Sequence, residues 1–156
     1  MKAAVTKCIW IRHARSWRPD GHVPAHDPDI VPDAASAAAL AQMLPDDAYW
    51  HISPLRRCQQ TAAQIEDILV QCDRPAPREK TTEHQIIEQD LGKWAGAKLD
   101  DVWAELADAP RHNFSFQTPE LVPPDGESFA AQYERIALFL KNFSDKMSEA
   151  EEAPAH

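Results

Sequence analysis

Val5-Thr6-Lys7-Cys8-Ile9-Trp10-Ile11-Arg12-His13-Ala14-Arg15-Ser16 is the stretch on which the reading of this chain turns. Val5 to Ile11 is rich in β-branched and aromatic residues, which favour a short strand. The run then stops abruptly in polar, reactive residues. Open α/β sheets place their sites just past the carboxyl ends of strands. Val5 to Ile11 is therefore expected to form the first, central strand of a parallel sheet, with Arg12 and His13 at its active end.

Working outward, Trp17 to Pro32 is polar and broken by proline, so it reads as a long loop over that site. Asp33 is placed to N-cap an alanine-rich helix, Ala34 to Leu44, that stops before Pro45. Tyr49 to Ser53 reads as a second strand. Leu55, Cys58, Ala62, Ile65, Leu69 and Cys72 follow at spacings of 3, 4, 3, 4 and 3, which is one buried helical face. Arg78 to Gln85 holds a weaker strand pattern. Leu99, Val102, Trp103 and Leu106 mark a third helix. Phe129, Tyr133, Ile136, Leu140, Phe143 and Met147 mark a fourth, followed by the acidic, alanine-rich stretch Ser148 to His156. Strands alternating with helices predict an α/β domain. A buried strand is expected after the fourth helix, and no β-rich run stands there.

The chain has 156 residues and 44% apolar content, which suits one ordinary domain over residues 1–156 with a real core. With only 4 glycines it offers no Gly-rich phosphate loop. A net charge of −9 argues against non-specific binding to nucleic acid or anionic membranes, so any anion must be held by local arginines. No apolar run approaches the ~18 residues of a membrane span. Cys8, Cys58 and Cys72 lack paired spacing, which suggests buried, reduced thiols in a cytoplasmic protein. Trp10, Trp94 and Trp103 read as core.

Three segments carry chemistry. In Arg12-His13 a neutral imidazole can attack phosphorus while the adjacent guanidinium holds phosphoryl oxygens. In Ser53-Pro54-Leu55-Arg56-Arg57-Cys58-Gln59-Gln60-Thr61-Ala62 a helix opens with two arginines, and a helix N-terminus favours anions. In Ile87-Glu88-Gln89-Asp90-Leu91-Gly92-Lys93-Trp94-Ala95-Gly96 a carboxylic acid is available to protonate a leaving oxygen. Alone, the first and third segments are more simply read as solvated surface; for the second that reading is weaker, because positive charge at a helix N-terminus opposes the dipole. His22 and His26 are four apart, but Pro24 breaks any helix that would bring them together as metal ligands. No metal or cofactor is expected.

Taken in order, R-H after the first strand, S-P-L-x-R-x-x-Q-T-A at the second helix and E-x-x-x-G-x-W resemble the histidine phosphatase superfamily, the phosphoglycerate-mutase-like fold. Pro124-Asp125-Gly126-Glu127-Ser128-Phe129 is similar to the family's G-E-S segment. The resemblance runs from Val5 to about Phe143. It implies a three-layer α/β/α sandwich with a mostly parallel sheet, here with the C-terminal strand missing. It implies that His13 takes the phosphoryl group and Glu88 donates the proton, with Arg12 and Arg57 binding the phosphate. Ser16 is a further phosphate contact, and Arg57 rather than Arg56 occupies the motif position. Ala14 stands where the family usually has glycine. The second family histidine, at the end of a later strand, has no counterpart, so a C-terminally incomplete chain with compromised turnover is expected. The activity implied is metal-independent phosphomonoester hydrolysis or phosphomutase-like transfer on a small phosphorylated metabolite. The alternative is a non-catalytic phosphometabolite-binding domain or an inactive fragment. Neither the substrate nor the oligomeric state can be read from the residues. Selectivity is expected in the Trp17 to Pro32 loop and in Pro110 to Pro124.

Overall fold

Two layers of helix enclose a small parallel sheet. The computed structural model describes residues 6–109 and 118–152, with side chains described through residue 147. Residues 110–117 of the second expected selectivity segment, and His156, lie outside the described residues.

The first helix, α1 (Ala34–Met43), begins where Asp33 predicts. The Asp33 carboxylate accepts from Ser36 Oγ at 2.6 Å and from Ser36 N at 3.0 Å. These bonds, the hydroxyl's foremost, hold the Asp33 carboxyl below its ordinary range. At the other end, Arg74 donates to the carbonyls of Ala41 and Leu44 and pairs with Asp46, satisfying acceptors that the helix leaves open. Ala37 and Ala41 are buried against α2 (Arg56–Gln71), whose Ile65 and Leu69 complete a core with Leu44.

Strand β1 (Tyr49–Ile52) runs parallel to β2 (Glu79–Thr82), with Trp50 opposite Lys80 and His51 opposite Thr81. Successive strand residues point to opposite faces. Trp50 accordingly packs on the core between α1 and α2. His51 points the other way, where its ring meets the edges of Phe139 at 6.1 Å and Phe143 at 5.3 Å. Both phenylalanines belong to α4 (Phe129–Glu152). The layer order is thus α1 and α2, then the sheet, then α4. A second cluster, remote from the sheet, packs Trp94 against Val102 of α3 (Leu99–Glu105) and Leu106.

Several expectations need correction. Thr6 to Ile11 forms no strand, and Trp10 is 64% exposed instead of core. A strand exists only by its ladder. β1 is paired with β2, and no other described segment lies in register with Thr6 to Ile11. The weaker strand after Arg78 stops at Thr82 and gives way to a 3₁₀ turn, His84–Ile86, started by the Glu83 side chain accepting from Gln85 N. Cys8 and Cys72 are exposed and Cys58 is half-buried. On α4, the expected apolar stripe faces out at Phe129, Tyr133 and Leu140. Ile136, Phe143 and Met147 of that stripe are half-buried, while the buried positions are Gln132 and Phe139, with Ser128 just before the helix; near its start α4 covers polar backbone. Among the described residues no helix is long and apolar enough to cross a membrane.

Candidate active site

His13 lies in an extended segment that borrows its support from α2 and from a neighbouring loop. Ala14 N donates to Thr61 Oγ1 at 2.9 Å, and that hydroxyl donates to Arg57 O at 2.7 Å. Val31 N donates to Arg15 O at 2.7 Å, and Trp17 N donates to Asp29 O at 3.0 Å. The loop from Trp17 to Pro32 is therefore closed at its base beside the Arg12-His13 pair. His13 Nδ1 lies 2.7 Å from Ala14 O. A carbonyl oxygen only accepts, so Nδ1 carries a proton; in the neutral form of the ring the lone pair is then on Nε2.

The N-terminus of α2 has no side-chain cap from Leu55. Asp27, from the loop, takes that place: its Oδ2 accepts from Arg56 N at 3.0 Å. The two adjacent arginines then divide. Arg56 is exposed, bonded to Asp27 O and 3.4 Å from Asp29. Arg57 is only 6% exposed. Its NH1 donates to His26 O at 2.9 Å and lies 3.6 Å from Asp27 Oδ1. Among the described residues no hydrogen bond reaches that buried Asp27 oxygen, and the nearby guanidinium charge compensates it. Cys58 follows; burial pushes its thiol up, against the opposing pull of Arg57.

Glu88 arrives from the opposite wall. Its segment is locked to the one before α4 by two glycines in close approach. A Cβ on Gly92 would lie 2.1 Å from Pro124 O, and one on Gly126 would lie 2.4 Å from Asp90 O. Lys93 N donates to Pro124 O and Glu127 N to Asp90 O, both at 2.8 Å. The E-x-x-x-G-x-W and G-E-S segments are thus two halves of one backbone junction. The loop over the site is tied to the same wall, through Val23 N to Ala97 O, Gly96 N to Pro24 O and Leu99 N to Gly21 O.

Between the walls lies a cavity of about 160 Å³, lined by Arg12, His13, Ser16, Arg57 and Glu88 together with His26 and Gln89. All five residues singled out in the sequence meet there. His26 was weighed in the sequence only as a metal ligand with His22, and Asp27 and Gln89 were given no site role; the signal for His26 and Asp27 as lining was their place in a loop expected to cover the site. His22 is held apart, with its Nδ1 2.9 Å from Asp20 O, while His26 lines the cavity 3.7 Å from Asp90. Among the described residues no three His, Cys, Asp or Glu side chains gather as metal ligands.

This arrangement sets an imidazole, two arginines and a carboxyl group around one cavity of an α/β sandwich. The chain belongs to the histidine phosphatase superfamily (branch 1), whose family model matches residues 9–152. It is 32% identical to phosphoserine phosphatase 1 of Hydrogenobacter thermophilus over 88% of this chain, and it spans 64% of that relative's length. Among solved structures, it is similar to phosphoglycerate mutase from Thermus thermophilus, at 26% identity and TM-score 0.56, covering 83% of this chain and 68% of that one. A mycobacterial glucosyl-3-phosphoglycerate phosphatase shares the fold at 17% identity and TM-score 0.62, covering 86% of this chain and 61% of that one.

Proposed function

We propose that this chain handles a small phosphorylated metabolite and transfers its phosphoryl group through a phosphohistidine on His13, as a metal-independent phosphomonoester hydrolase. The observation that carries this reading is the convergence of Arg12, His13, Ser16, Arg57 and Glu88 on one cavity, with the His13 tautomer set by Ala14 O. His13 Nε2 attacks phosphorus as the ester P–O bond breaks, and Glu88 gives its proton to the departing alkoxide. Arg12 and Arg57 spread positive charge over the phosphoryl oxygens, aided by the Ser16 hydroxyl. Water then attacks phosphorus as the P–N bond breaks, its electron pair returning to Nε2, and Glu88 takes up the water's proton. Inorganic phosphate leaves and His13 returns to its neutral form. The relatives named above act on phosphorylated small molecules, as their names state, which supports the same substrate class here.

The test compares leaving groups. Glu88→Gln is expected to slow hydrolysis of alkyl phosphates by about 10²-fold or more, and that of p-nitrophenyl phosphate far less, because a good leaving group needs little protonation. Equal losses on both substrates would assign Glu88 a binding role. Binding of phosphate with no turnover on either ester would favour the non-catalytic reading.

A further inference from the structure

Gln132 occupies a place where an apolar residue would pack at lower cost. It lies on the inward stripe of α4, 8% exposed, one turn before Arg135 and two turns before Phe139. Burying a primary amide is unfavourable unless its donors are used. Gln132 Nε2 donates to Glu88 Oε1 at 3.3 Å, and the same oxygen accepts from Gln89 N at 3.2 Å. Arg135 grips the backbone on the near side of Glu88, donating from NH1 to Gln85 O at 2.7 Å and Ile87 O at 3.1 Å. Its other nitrogen meets Glu127 Oε1 at 2.6 Å. Backbone position is therefore already set by Arg135. What remains for the Gln132 amide is the carboxyl group itself.

We propose that Gln132 is a positioning residue for proton donation, one that acts through Glu88 and never touches the substrate; this rests on the reading of Glu88 as the acid. With Oε1 accepting two N–H bonds, the proton of the neutral acid sits on Oε2. The bond also removes rotational freedom about the carboxyl torsion, so that Oε2 presents its proton to the leaving oxygen without reorganisation. Gln132 thereby selects which of two chemically equal oxygens is the donor.

A double-mutant cycle tests this. Gln132→Met keeps the length and packing of the side chain and removes the donor. It should lower kcat for an alkyl phosphate about tenfold, the upper end for a hydrogen bond between neutral groups, with KM unchanged and p-nitrophenyl phosphate affected by less than about twofold. In the Glu88→Gln background, where no proton remains to be aimed, Gln132→Met should cost nothing further. Should kcat be too slow to measure in any variant, the same cycle is read on orthovanadate affinity, since the apical oxygen accepts the Glu88 proton. Gln132→Leu, checked for native thermal unfolding, stands in if the Met variant does not fold. Equal loss on both esters, or a full additive cost in the Glu88→Gln background, would overturn the role of Gln132 and leave Glu88 as the acid. A Glu88→Gln enzyme indifferent to the leaving group would remove both readings.

Discussion

The hydroxyl of Thr61 stands between Ala14 and Arg57, accepting from the backbone N–H of the first at 2.9 Å and donating to the carbonyl of the second at 2.7 Å. Thr61 is 6% exposed, so this hydroxyl has no ready substitute from solvent. It joins the segment bearing His13 to the helix turn bearing Arg57. Thr61→Val, nearly isosteric, leaves the Ala14 N–H unpaired. It should cost about 1–3 kcal/mol in urea unfolding and weaken inorganic phosphate binding as well. Thr61→Ser should retain most of both. A Val variant of unchanged stability and affinity would mean the segment is held by its loop contacts alone.

The neighbouring arginines offer an internal control. Arg57 is buried and lines the cavity, whereas Arg56 is exposed and engages Asp27 and Asp29. Arg57→Ala should weaken inorganic phosphate binding by about tenfold or more, as expected for loss of charge-assisted bonds. Arg57→Lys should recover little of it, since an ammonium cannot make the paired contacts of a guanidinium. Arg56→Ala removes an exposed ion pair and an exposed hydrogen bond to Asp27 O, neither of which reaches the cavity, and should change affinity by less than about twofold. Isothermal titration of the three variants measures this, and equal effects at both positions would contradict the assignment of Arg57.

Much of this was legible in the residues, and the parts that were not have a common cause. The 3-and-4 spacing from Leu55 to Cys72 marks α2, and Asp33 marks the start of α1, because helical period and capping are local signals. Order along the chain placed the segments of Arg12, Arg57 and Glu88 in one family pattern. What failed depends on partners distant in sequence. Thr6 to Ile11 has a strand's composition but no ladder neighbour among the described residues. The inward face of the first turns of α4 was misjudged because its partners there include the carbonyls of Gln85 and Ile87 and the carboxyl of Glu88, which favour Gln132 and Arg135 over Phe129 and Tyr133. Asp27 as the cap of α2 was invisible for the same reason, lying 29 residues before the N–H it serves.

The junction of Gly92 with Gly126 bears on how rigidly Glu88 is held. Gly92 has φ +52°, where side chains are strained, and a Cβ there would strike Pro124 O at 2.1 Å. Gly92→Ala should therefore destabilise by about 2–4 kcal/mol, combining backbone strain with overpacking against main chain. Gly96 also has a positive φ of +79° but meets open space, so Gly96→Ala carries the strain without the collision and should cost less. Thermal unfolding of the two variants ranks them. The reverse order would show that Gly92 and Gly126 are not in the contact described.

The central claim is that His13 itself carries the phosphoryl group. The direct measurement is a rapid quench of the protein with an aryl phosphate, followed by peptide mapping by mass spectrometry under alkaline conditions that preserve a phosphorus–nitrogen bond. The account predicts an acid-labile phosphoryl group on His13 and on no other residue, and its disappearance in His13→Ala. A phosphoryl group mapped to His26 or to any other residue, or undiminished hydrolysis by His13→Ala, would contradict it.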